Sequence, residues 1–99
     1  MVSSTSTAQL RHLEAALKAL ANRRRLLMLA TVRRQREMHV SGLAEQLRLP
    51  VKTVSRNLRL LERAGLMHSD QRQGFVFYRL SPHAPAFAKI MLEALATGN

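Results

Sequence analysis

The chain of 99 residues contains no cysteine, only six acidic residues, and no run of apolar residues approaching the ~20 needed to cross a bilayer. Without cysteine there are no disulfides, thiolate metal sites, thiol nucleophiles or thiol redox switches, and a reducing cytoplasm is the expected setting. Six carboxylates against sixteen Lys and Arg leave +10. None of the six is paired on one expected face near a histidine, and no glycine-rich loop is present to cradle phosphate, so the sequence does not read as an enzyme. No internal repeat or low-complexity segment is present either. What remains is enough hydrophobic residues, 46%, for one core in a chain of one domain's length. A surplus of positive charge on such a chain points to a polyanion.

The cations are not spread evenly. Residues 1–22 and 73–99 each carry a net +1, whereas residues 23–72 hold twelve cations and four anions, a net +8. The first seven residues, small and polar, read as a disordered N-terminal tail, leaving 8–99 as the folded domain. Leu10, Leu13, Leu17 and Leu20 then recur at helical spacing. Asn22 is placed to cap a second helix carrying Leu26, Leu29, Ala30 and Val32, with Arg33, Arg34 and Arg36 near its end. Ser41 reads as the cap of a short helix with Leu43, Ala44 and Leu47 inward. Pro50 suits the first position of a longer helix running to Gly65. A short helix, a tight turn and a longer helix form a helix-turn-helix pattern. Beyond Gly65, residues 66–71 and 75–80 read as two strands joined by a turn at Arg72, Gln73 and Gly74. After Pro82 and Pro85 a last helix bears Phe87, Ile90, Met91, Ala94 and Leu95. The expected fold is mainly α with a β-hairpin, in the order α-α-α-α-β-β-α.

The chemistry concentrates in the helix 50–65. Lys52, Arg56, Arg59 and Arg63, spaced 4, 3 and 4 apart, share one face, while Val51, Val54, Leu58 and Leu61 share the other. Four aligned cations repel one another unless an anion neutralises them, and a phosphate backbone would do so. A helix fits the major groove, which is ~12 Å wide. The hairpin tip, Gln71, Arg72 and Gln73, supplies donors suited to a minor groove or a phosphate.

Three segments, Val40-Ser41-Gly42-Leu43-Ala44-Glu45-Gln46-Leu47, Thr53-Val54-Ser55-Arg56-Asn57-Leu58 and Leu61-Glu62-Arg63-Ala64-Gly65-Leu66, together resemble the DNA-binding core of the ArsR-type winged-helix repressors. The likeness extends back through Leu17-Lys18-Ala19-Leu20-Ala21-Asn22 and Arg25, and forward through Gly74 to Tyr78-Arg79-Leu80. It implies a winged helix-turn-helix regulator of transcription, usually a repressor, that binds double-stranded DNA as a homodimer through its first and last helices. The apolar residues Leu10, Leu13, Leu17, Phe87, Ile90, Met91 and Ala94 are the expected interface. A two-fold dimer would present two reading helices to an inverted repeat, in the cytoplasm at the nucleoid. Lys52, Thr53, Ser55 and Arg56, in the first turns of the helix, are the expected base contacts; Arg59 and Arg63, farther along, and Arg48, in the turn where glycine is common, are the expected backbone contacts. Asn57 stands where the family usually has histidine.

Metal sensing, frequent among such proteins, finds few ligands here. A Cys-x-Cys pair of the family corresponds to His39 and Ser41, and around His83 a second family site is matched by Ser81, Ala94 and Thr97. No metal or other cofactor is expected. Control would come from an organic ligand, a partner protein or the repressor's own concentration. The competing expectation is a non-specific architectural nucleic-acid binder, for which the charge alone would suffice.

Overall fold

The computed structural model describes residues 4–97 and orders them as α1 (Thr7–Leu20), α2 (Arg23–Gln35), β1 (Met38–His39), α3 (Val40–Leu47), α4 (Val51–Arg63), β2 (Met67–Arg72), β3 (Phe75–Leu80) and α5 (Ala86–Thr97). The expected order gains one element, the short strand β1. The strands form one antiparallel sheet in the order β1-β3-β2.

Local chemistry sets most boundaries. Residues 1–3 of the expected tail lie outside the described residues, but its last two belong to the fold. Ser6 accepts from the backbone N–H of Gln9, and the Gln9 side chain accepts from the N–H of Ser6, a reciprocal capping box that starts α1 at Thr7. Asn22 caps α2 as expected, its side-chain oxygen 3.0 Å from the N–H of Arg25. The cap of α3 is not Ser41 but His39. The chain enters α3 directly from β1, so the residue with extended backbone before the first turn is His39, whose Nδ1 accepts from the N–H of Gly42 at 3.0 Å. Gly42 leaves room for that ring: a Cβ there would stand 3.0 Å from its Cε1. Ser41 lies inside the helix, its hydroxyl 3.0 Å from the same Nδ1.

Pro50 precedes α4 as its N-cap instead of occupying the first turn, and the helix ends at Arg63, before the expected Gly65. Gly65, at φ 81°, then allows the amides of Gly65 and Leu66 to bond back to Glu62 and Leu61, at 3.0 and 2.9 Å. This Schellman termination satisfies carbonyls that the helix leaves open. The hairpin turn contains two residues, Gln73 and Gly74, both at positive φ, the backbone that matches strand twist in a tight hairpin. Arg72, expected in the turn, is therefore the last residue of β2 and pairs with Phe75.

The core gathers Met28, Leu29 and Val32 of α2, Leu43 of α3, Val54, Leu58 and Leu61 of α4, and Leu66, Met67 and Tyr78 around the sheet. Helix α1 contributes Ala16, Ala19 and Leu20, and α5 contributes Ala88 and Leu92. Burying these side chains removes apolar surface from water at roughly 25 cal/mol per Å². Val51, expected on the core face of α4, is the first residue of the helix and is 52% exposed. The stripe of α1 also splits. Leu20 is buried, while Leu10, Leu13 and Leu17 remain open to solvent.

Candidate nucleic-acid interface

The turn that presents α4 closes through Arg48. This residue caps α3 in the left-handed region, φ 57° and ψ 45°, with its N–H bonded to Ala44 and Glu45. Leu49 N–H then reaches the Ala44 carbonyl at 3.0 Å, and Pro50 starts α4. A non-glycine residue in that region costs on the order of 1 kcal/mol. The Arg48 side chain is left exposed beside the start of the next helix.

Val54, Leu58 and Leu61 anchor α4 to the core, which turns its opposite face outward. Lys52, Arg56, Arg59 and Arg63 are all exposed there. Among the described residues no carboxylate lies within 4.0 Å of any of the four. From Lys52 to Arg63 the row extends about 16 Å at ~1.5 Å per residue. Val51, Lys52, Ser55, Arg56 and Arg59 together line a shallow depression of about 400 Å³. Thr53 and Ser55 are half-buried on the flanks of this face, so the expected base-contacting set divides into two exposed cations and two shorter, partly covered hydroxyls.

Arg25 and Arg33 are already committed elsewhere. Arg25 bonds through Nε to the Ala19 carbonyl at 2.7 Å, through Nη2 to the Lys18 carbonyl at 3.3 Å, and through Nη1 to Asn57 Oδ1 at 3.3 Å. Asn57 in turn donates to the Thr53 carbonyl at 2.8 Å. Arg25 thus closes the C-terminal end of α1 and holds α4 to it, a role that sequence reasoning missed. The available signal was Asn57, a polar residue whose helical phase sets it beside Leu61 and Val54, away from the basic face. Arg33 lies 3.7 Å from Glu93 of α5.

The wing is bound more tightly to itself than expected. Arg72 Nη2 meets Glu37 Oε2 at 2.6 Å, Arg72 Nε stands 3.5 Å from Asp70, and the guanidinium lies 4.2 Å from the centre of the Phe77 ring. Arg79 also approaches Asp70, at 3.7 Å. The hydrogen bond from Arg72 holds the Glu37 carboxyl below its ordinary range, partly opposed by desolvation and aided by the charges of Arg72 and Arg79. Gln71 and Gln73 remain exposed, so the structure separates the three expected tip residues into two free amides and one engaged guanidinium. At the base of the hairpin, Ser69 Oγ donates to Glu62 Oε2 at 2.7 Å and ties β2 to α4. Burial raises the Tyr78 hydroxyl above its ordinary value, reinforced by the Glu62 carboxylate.

The expected interface residues also divide. Leu10, Leu13 and Leu17 are exposed on α1, and Ile90, 66% exposed, and Ala94 are exposed on α5; Phe87 and Met91 are partly buried against the core. Among the described residues no group of three or more His, Cys, Asp or Glu side chains is gathered in a metal-binding cluster. The His39 Nδ1 is taken up by capping α3, as described above.

The protein family HVO_A0114 matches residues 20–79, more than half of the chain. The arsenic resistance transcriptional regulator ArsR1 of Pseudomonas putida is 32% identical over 82 residues, covering 83% of this chain and 64% of that protein. The arsenical resistance operon repressor of Escherichia coli K12 is 42% identical over 79 residues, covering 78% and 67%. The chain thus spans about two thirds of the length of either relative. In three dimensions it is similar to the homodimeric winged helix-turn-helix DNA-binding domain Mb0332 of Mycobacterium bovis, a possible ArsR-family regulator. The TM-score there is 0.80 at 28% identity, over 97% of this chain and 90% of the other. The helix-turn-helix, the β-hairpin and the matched sequences agree: this chain belongs to the ArsR-type family of winged helix-turn-helix transcriptional regulators.

Proposed function

We propose that the chain is a homodimeric, sequence-specific DNA-binding repressor whose two α4 helices enter successive major grooves of an inverted-repeat operator. The observation that carries this reading is the row Lys52, Arg56, Arg59 and Arg63, exposed on one face of α4 without a carboxylate partner. A helix-turn-helix dimer spaces its reading helices about 34 Å apart, one turn of the duplex. Lys52 and Arg56, with Thr53 and Ser55 beside them, read base edges; a guanidinium at Arg56 offers guanine two parallel donors. Arg48, Arg59 and Arg63 hold phosphates and set the register. Dimerisation covers the exposed apolar residues of α1 and α5, and residues 8–99 act as one unit. The names of the relatives, which describe repressors and a homodimeric DNA-binding domain, support the same assignment. The work of such a protein lies in the cytoplasm, at the nucleoid.

Selection of bound fragments from genomic DNA would yield the operator and its half-site spacing. That operator should then bind at least ~10³-fold more tightly than random duplex at the same salt concentration. Equal binding of both would instead support the second reading, a non-specific architectural binder, which the +10 charge favours.

A further inference from the structure

The outer face of the sheet carries an aromatic group whose exposed member, Phe75, has no role assigned so far. Phe75, Phe77 and His39 lie together on it, with ring centres 5.3 Å apart for His39–Phe75, 5.6 Å for His39–Phe77 and 6.4 Å for Phe75–Phe77. Phe75 is the first residue after the two-residue turn, at the tip of the wing, and is 51% exposed. Its neighbour across the ladder, Arg72, is pulled toward Glu37, Asp70 and the Phe77 ring. The one cation of the hairpin tip is therefore engaged along the sheet with carboxylates and a ring, although its side chain stays 48% exposed, and the phenyl ring of Phe75 stands equally open beside it. Val76, the next residue, is also exposed but on the opposite face of the strand, across the ladder from Gln71.

A single exposed phenylalanine is ordinary, but Phe75 is the largest apolar side chain at the hairpin tip and would gain most there from an apolar partner. Duplex DNA offers one, since proteins that enter the minor groove commonly place apolar side chains such as Phe against its base steps. The wing is continuous with the reading helix through the Ser69–Glu62 hydrogen bond, so seating α4 on a duplex brings the hairpin to the same molecule. The uncompensated cations of α4 supply the charge attraction that the wing's internally paired ions cannot.

We infer that the wing meets DNA through the ring of Phe75, lodged against the minor groove, while Arg72 serves as a positioning residue that braces the ring's platform. This inference rests on the DNA-binding reading and adds a contact to it.

The chain contains no tryptophan, so Phe75→Trp places a single indole at the tip. Binding is followed independently by the anisotropy of a fluorescein-labelled operator duplex. Once the duplex is bound, the indole emission should be quenched by at least about a third. Bound duplex with unchanged emission would overturn the inference while leaving DNA binding intact. In parallel, Phe75→Ala should weaken operator binding about five- to tenfold at every salt concentration without altering the slope of log K against log salt, because an apolar contact releases no counterions. Undiminished affinity, or a shallower slope, would contradict it. Dissociation of the Phe75→Ala dimer would assign the ring to a second copy of the chain instead, and would also overturn the inference. Failure of the unaltered protein to bind any duplex removes the DNA-binding reading, and this inference with it.

Discussion

Arg25 Nη1 lies 3.3 Å from Asn57 Oδ1 across 32 positions of sequence, joining the start of α2 to the middle of α4. The same guanidinium takes two carbonyls at the end of α1, so one cation inside the most basic stretch of the chain ties α4 to α1. Asn57, in the middle of α4, faces this internal bond instead of solvent.

Substituting Asn57 should therefore act on stability first. Asn57→Ala leaves one guanidinium donor without its partner and should lower unfolding free energy by about 1–2 kcal/mol. Urea denaturation would measure it. At concentrations where the variant is folded, operator affinity should fall much less than in Arg56→Ala; an equal fall would place Asn57 on the DNA.

The cations of α4 should separate into two kinds. Arg56→Ala is expected to cost about 1–3 kcal/mol of operator binding and to relax preference at one base pair. Arg59→Ala and Arg63→Ala should weaken all duplexes alike, each reducing the salt slope by about one. Titrations of operator and scrambled duplex at several salt concentrations distinguish these outcomes.

At the turn, stability and binding should move in opposite directions. Arg48→Gly relieves the left-handed backbone, although glycine's greater freedom in the unfolded chain offsets most of the gain, leaving at most about 0.5 kcal/mol in favour of the variant. The lost side chain should weaken DNA binding and flatten its salt dependence. A variant less stable than the parent would contradict the backbone argument.

The Glu37–Arg72 bond predicts a pH signature. The folded carboxyl titrates below its ordinary value of 4.5, so its contribution is present above that pH and is lost as the pH falls through the lower folded value. The difference in Tm between the parent and Glu37→Gln should accordingly be largest near neutrality and vanish on acidification. A gap that widened in acid would reverse the sign of the coupling.

The exposed leucines of α1 predict the assembly. Leu13→Glu puts a charge where the proposed partner subunit packs, at a site open to solvent in the single chain. Light scattering at micromolar concentration should give the monomer mass, with the helical circular dichroism retained. A dimer that survives the change would move the interface elsewhere.

Several elements were legible because their chemistry is local. Asn22 before a helix, Pro50 and Gly65 around α4, and Gly74 in the hairpin turn each satisfy or free backbone groups within a few residues. Ser6 and Gln9 carried the same kind of signal, which reading the first seven residues as a tail passed over. The strand β1 was different. Two residues have no periodicity, and Met38 and His39 become a strand only because β3 supplies Tyr78 and Phe77 as partners. Once that pairing exists, the helix start moves to His39 and the cap moves away from Ser41.

The sequence by itself determined that one helix would be apolar on one side and cationic on the other, because helical geometry converts spacing directly into direction. It could not distinguish one arginine from another. Arg25, Arg72 and Arg56 have the same side chain, yet Arg25 is bonded to two carbonyls and an amide, Arg72 lies against two carboxylates and a ring, and Arg56 has no carboxylate partner. Only the tertiary structure decided this, because a cation's availability depends on acceptors brought near it from distant parts of the chain.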